Sequence, residues 1–275
     1  MELNETSVPE LTASLMSGSP HDLASEARPI LVVGPSLGTS VSALWQPALD
    51  QLADDFTVIG WDLPGHGNSR ASSAPFTIEQ LADAVEALIA AQTAENATPD
   101  DHPMYCAGVS LSGAVSLELS RRAESRFSAH AVICSAAKIG QPEGWTERAD
   151  LVATAGTPTM VEGSAQRWFA PGFIDKHPDV ATTLLDSLQH ADRHSYAHAC
   201  RALSQFDLRE QLGTITRPVL AVAGEQDAVC PPAEAHFIAE HAPNAHAQVL
   251  SDVAHLAPAE DPENTAGLLK EHFLG

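Results

Sequence analysis

Residues 105–113, reading Tyr-Cys-Ala-Gly-Val-Ser-Leu-Ser-Gly, constrain this chain more than any other stretch. An apolar strand pattern ends in small residues around Ser110, and a helical pattern (Ala114, Val115, Leu117, Leu119) follows with no loop between. A serine on so sharp a strand-to-helix turn is held in a strained backbone conformation with its hydroxyl pushed outward. Strand and helix backbones nearly touch there, so only small neighbours fit two residues to either side. Gly108 meets that demand. Ser112 stands where the usual G-x-S-x-G pattern has glycine, a departure that keeps the residue small. The competing reading is an ordinary tight turn with helix-capping serines.

The rest of the chain extends the same rhythm. Strand patterns at 30–33, 56–61, 104–109 and 130–135 alternate with helical patterns at 41–53, 77–92 and 113–123, and a further strand is expected near Leu11 to Met16. Such alternation predicts a mostly parallel central sheet with helices on both faces. From Lys138 to about Leu208 the strand signal vanishes, leaving helical stretches near 146–155, 160–169, 178–190 and 194–205. Strands resume at 218. The expected organisation is a core of residues 1–137 and 209–275, with residues 138–208 inserted as a helical lid over the strand ends.

A nucleophilic serine needs a general base, and the base needs an acid to fix its tautomer. Pro218 to Ala223 reads as a buried strand, and the turn Gly224-Glu225-Gln226-Asp227 ends it. Asp227 therefore falls at the carboxyl end of a strand, where open α/β sheets place their sites. The strand Gln248-Val249-Leu250 leads into a loop holding His255, before the last helix. Ser110, Asp227 and His255 are thus the expected triad, in the order Ser, Asp, His. Glu225 is an alternative acid, His66 in its glycine-rich turn an alternative base, and Asp252 reads as a surface residue. Two backbone N–H groups must hold the intermediate's oxyanion. Leu111, next after the nucleophile, and Leu37, in the loop after the first core strand, are the candidates.

Composition narrows the partners. The formal net charge of −22 argues against nucleic acid and anionic membranes. Residues 138–208 carry only −3 of it, so the inserted segment repels an anionic substrate least. No stretch approaches the ~18–20 apolar residues of a membrane span. The acidic start, Met1-Glu2-Leu3-Asn4-Glu5-Thr6, lacks a secretory pattern, and the four cysteines (106, 134, 200, 230) show no paired spacing. A cytoplasmic location is expected. His190, His194 and His198 step by four, but a helix break capped by Asp192 separates the first from the others, so no metal site is expected.

Several motifs together resemble the 3-oxoadipate enol-lactone hydrolases of bacterial aromatic catabolism, within the α/β-hydrolase superfamily. They are residues 34–39 (Gly-Pro-Ser-Leu-Gly-Thr), 136–145 (Ala-Ala-Lys-Ile-Gly-Gln-Pro-Glu-Gly-Trp), Arg167-Trp168-Phe169, residues 196–203 and Asp207-Leu208-Arg209. The likeness covers roughly residues 30–275. It implies the α/β-hydrolase fold, a small anionic lactone as substrate and no metal or organic cofactor. The free carboxylate of such a lactone needs a polar or cationic partner, for which Trp145, Arg148, Arg167 and Trp168 are the candidates. Superfamily likeness alone leaves open a carboxylesterase, a cofactor-free perhydrolase, a carbon–carbon bond hydrolase and a non-catalytic binding module.

Overall fold

The core is a seven-stranded sheet whose central strands read as unbroken apolar runs because they are buried on both faces. The strands are β1 (Thr12–Leu15), β2 (Ile30–Gly34), β3 (Thr57–Asp62), β4 (Met104–Val109), β5 (Ala129–Ile133), β6 (Val219–Gly224) and β7 (Ala245–Leu250). Their spatial order is β1-β3-β2-β4-β5-β6-β7. Only β1 runs antiparallel, against β3, and every other pairing is parallel. The computed structural model describes residues 8–24 and 28–275. The N-terminal hexapeptide read above for a leader lies outside them.

Twelve α-helices are seen among the described residues. Those before the inserted segment are α1 (Pro20–Ala24), α2 (Val41–Leu52), α3 (Ile78–Glu95) and α4 (Leu111–Ser120). In α2, Val41, Leu44, Trp45, Ala48, Leu49 and Leu52 form the buried face at helical spacing, and the Ser40 hydroxyl accepts the Ala43 N–H to cap the start. A reciprocal capping box between Thr77 and Gln80 opens α3. All ten residues of α4 are buried, as befits a helix covered on every side.

Five helices fall between β5 and β6: α5 (Pro142–Ala155), α6 (Val161–Trp168), α7 (Phe173–Lys176), α8 (Pro178–His190) and α9 (Arg193–Gln205). This segment leaves and rejoins the sheet at one point. The Leu208 N–H donates to the Ala137 carbonyl at 2.8 Å, and Lys138 pairs with Asp207 at 3.6 Å. Asp192 caps α9 through the Ser195 N–H at 2.8 Å, so His190 lies on a different helix from His194 and His198. After β6 come α10 (Pro232–His241), α11 (Ala257–Glu260) and α12 (Pro262–Leu274). Among the described residues no helix is long and apolar enough to cross a membrane.

Strand order sets where a site can form. Strands β3 and β4 flank β2 on opposite sides, so the chain changes direction across the sheet between β3 and β4, and a crevice opens at the carboxyl ends of β2 and β4. Gly34 and Gly108 are register partners there, which puts the loop after β2 beside the turn after β4.

Two histidines make stability depend on acid. His66 and His130 are buried, and desolvation pushes their pKa down to about 4 and about 3 respectively. An unfolded histidine titrates near ~6.5, so the unfolded chain takes up protons that the folded chain refuses. Stability is therefore greatest above that value and falls as pH drops, by up to about 1.4 kcal/mol per pH unit for each such histidine. Urea unfolding midpoints should decrease between pH 6.5 and 5. Constant midpoints over that range would place charged forms of both rings in the folded protein.

Candidate active site

The strand-to-helix turn has the strain that its sequence foretells. Ser110 takes φ +55° and ψ −113°, a positive φ that a non-glycine residue rarely adopts. Backbone bonds hold it there. Its N–H donates to the Ile133 carbonyl at 2.9 Å, and its carbonyl accepts the Ser135 hydroxyl at 2.7 Å and the Ala114 N–H at 3.0 Å. Its own hydroxyl is committed to no protein group among the described residues.

Packing explains the small neighbours. A Cβ on Gly108 would lie 2.1 Å from the Ser112 carbonyl oxygen, inside contact distance. Serine is tolerated at 112 because glycine stands opposite: a Cβ on Gly34 would lie 2.6 Å from the Ser112 Cβ. Gly108→Ala should therefore cost several kcal/mol, about the upper range for core overpacking. Chemical denaturation or failure of soluble expression would register it, whereas wild-type stability would refute the close approach.

His255 and Asp227 meet as a buried pair. The His255 Nδ1–H donates to Asp227 Oδ2 at 2.8 Å, with the residues 2% and 3% exposed. The other carboxylate oxygen of Asp227 accepts the N–H groups of Val229 at 2.7 Å and Cys230 at 3.0 Å. Glu225 and Asp252 are both exposed, and Asp252 is engaged by Gln226. Neither reaches the ring. His66 is buried elsewhere, with its Nδ1 2.9 Å from the Pro64 carbonyl and its ring stacked on Tyr196.

A cavity of about 250 Å³ brings these groups together. Ser110, His255, Leu37, Trp145, Arg148, Arg167 and Trp168 all line it. Leu111 does not, since its side chain is buried, but it opens α4, where the first N–H groups have no acceptor within the helix. The Leu37 N–H is likewise free of protein acceptors among the described residues. A wider groove of about 760 Å³ beside α2 and α8 contains neither Ser110 nor His255 and is edged by Asp179 and Asp186.

The two arginines are unusual in so acidic a chain. Among the described residues neither forms an ion pair. Arg148 lies over the Trp145 ring at 4.8 Å, and its positive charge acts on the buried Tyr196 hydroxyl. The Trp145 indole N–H is in turn fixed by the Ile139 carbonyl at 2.5 Å. Partial burial, followed by the like charge of Arg148, lowers the pKa of Arg167. Tyr196, Ser36, Gln141 and Ser164 also line the cavity and were not foreseen. Tyr196 is buried at the Arg148 side of α9, a placement that only the packing of α5 against α9 reveals.

The relatives agree with this architecture. The model of the Alpha/beta hydrolase family matches residues 24–268. The chain belongs to that family. Within it, the chain is 36% identical to 3-oxoadipate enol-lactonase 2 of Acinetobacter baylyi, over 86% of this chain and 85% of the relative. It is 33% identical to 3-oxoadipate enol-lactonase 1 of the same organism, over 86% of each. The crystal structure of the enol-lactonase from Burkholderia xenovorans LB400 superposes with a TM-score of 0.87 at 29% identity, covering 96% of both chains.

Proposed function

We propose that this alpha/beta hydrolase is a carboxylic-ester hydrolase that opens 3-oxoadipate enol-lactone, using Ser110, His255 and Asp227. The observation that carries the reading is the pair Arg148 and Arg167, free of carboxylate partners among the described residues and lining the cavity that holds Ser110 and His255. A small lactone with a free carboxylate supplies the missing negative charge. The enol-lactonase relatives support the same substrate.

In this mechanism the Ser110 hydroxyl attacks the lactone carbonyl while His255 Nε2 takes its proton. The N–H groups of Leu37 and Leu111 hold the resulting oxyanion. The intermediate collapses by breaking the ring carbon–oxygen bond, and the imidazolium returns the proton to the departing enol oxygen. That enol relaxes to a ketone, which makes it a good leaving group. Water deprotonated by His255 then attacks the acyl-enzyme, freeing Ser110 and a second carboxylate. Asp227 keeps the proton on Nδ1 and stabilises the imidazolium formed in both steps.

Residues 138–208 act as a lid in this account. Trp145, Arg148, Arg167 and Trp168 approach the cavity from α5 and α6, so specificity resides in the segment that carries the least net charge per residue. The test is direct turnover of freshly generated enol-lactone by purified enzyme. Rapid consumption with ring-opened 3-oxoadipate as product supports the reading. No turnover, alongside ready hydrolysis of short neutral esters, would make the protein a carboxylesterase instead.

A further inference from the structure

The loop that carries His255 has no regular secondary structure, yet the backbone N–H groups of three consecutive residues are all held from outside it. Glu260, on the following helix α11, accepts the Ala254 N–H and the Leu256 N–H through Oε1, each at 3.1 Å. The His255 N–H between them donates to the Trp168 carbonyl at the end of α6, at 3.1 Å. The second oxygen of Glu260, Oε2, accepts the Ala170 N–H at 2.7 Å, two residues beyond Trp168. One carboxylate thus grips the residues on both sides of His255 and, with its other oxygen, the inserted segment at 168–170.

We infer that Glu260 is a positioning residue: it holds the imidazole in line with Ser110 and couples the place of residues 168–170 to that of His255. The inference rests on the reading of His255 as general base. Glu260 is half-buried and lines none of the cavity around Ser110, so it acts through the histidine and touches no substrate. Its chemistry suits the task. Three N–H donors converge on two oxygens, which a carboxylate accepts and a carboxamide cannot, because the amide has one acceptor oxygen and one donor nitrogen. A glutamine would keep either the Ala254 and Leu256 bonds or the Ala170 bond. It would then set a donor against a donor at the other end.

The kinetic signature follows from the dual use of His255. The ring serves acylation and deacylation alike, so misplacing it slows both steps together and leaves KM nearly unchanged while kcat falls. A residue that only shaped the substrate pocket would move KM instead. The experiment compares Glu260→Gln with His255→Ala and Glu118→Gln on the full chain, on the best ester substrate of the wild type. Glu118 is a buried carboxylate, ion-paired to Arg121 and Arg122 and outside the cavity, and it reports the effect of lost stability alone.

Glu260→Gln is expected to lose about ten-fold or more in kcat, with KM within about two-fold, at a temperature where it is fully folded. Glu118→Gln should keep wild-type kcat. If the glutamine variant does not fold, Glu260→Asp, which keeps the charge but shortens the reach, should show the same split. A Glu260→Gln enzyme with wild-type kcat beside an inactive His255→Ala would overturn the inference and leave the catalytic reading intact. A raised KM with unchanged kcat would overturn it too, reducing Glu260 to a tether for residues 168–170. An active His255→Ala would remove the base itself, and the catalytic reading would fall first.

Discussion

Ser110→Ala should lower kcat by about 10⁵–10⁶ while leaving the fold intact. Alanine removes the nucleophile and nothing that holds the turn, because Ser110 is fixed by its own backbone N–H and carbonyl. The strained φ of +55° costs alanine and serine alike, since both carry a Cβ. Thermal unfolding of the variant should therefore match the wild type within a few degrees. Turnover above that floor, in protein free of contaminating hydrolases, would move the nucleophile elsewhere. Ser112, two residues on, is the side chain to inspect in that event.

Asp227→Asn should cost about 10⁴ in kcat with little change in overall structure. The carboxylate accepts His255 Nδ1–H through one oxygen and the Val229 and Cys230 N–H groups through the other. Asparagine has a single acceptor oxygen. If that oxygen keeps the two backbone donors, the amide NH₂ faces Nδ1 and drives the ring proton to Nε2. The imidazole then meets Ser110 with a proton already in place and cannot accept another. Replacement by alanine should be comparably damaging, because it removes the orienting group altogether. A variant within ten-fold of wild type would mean that Asp227 only braces the turn after β6.

Sheet and helices were legible because burial writes them plainly. Val32 and Val33 and their neighbours in β2 are fully enclosed, and continuous apolar runs follow. Element ends were less legible. The sequence places a helix start near 146, whereas α5 starts at Pro142, since Pro-Glu-Gly-Trp offers no apolar period while proline favours a first helical turn. Strand β5 stops at Ile133 rather than 135 because Cys134 adopts φ +46° and turns the chain. In the site, chain order offered both Glu225 and Asp227 as partners of His255, and only the fold shows which carboxylate turns inward. Glu260 carried no local signal, and Tyr196 opened the motif of residues 196–203 without a role of its own being legible. Their partners, Ala170 and Arg148, lie 90 and 48 positions away in the chain.

The central claim is that the cavity is built for an anionic lactone, and charge selectivity tests it most directly. The measurement is kcat/KM for 3-oxoadipate enol-lactone and for a short neutral ester, in the wild type and in Arg148→Gln and Arg167→Gln. A charge-assisted hydrogen bond of about 1.5–3 kcal/mol corresponds to a loss of roughly ten-fold or more on the lactone. The account predicts that loss for at least one arginine, with the neutral ester nearly unaffected. Equal losses on both substrates for both variants, or no loss on either, would contradict it.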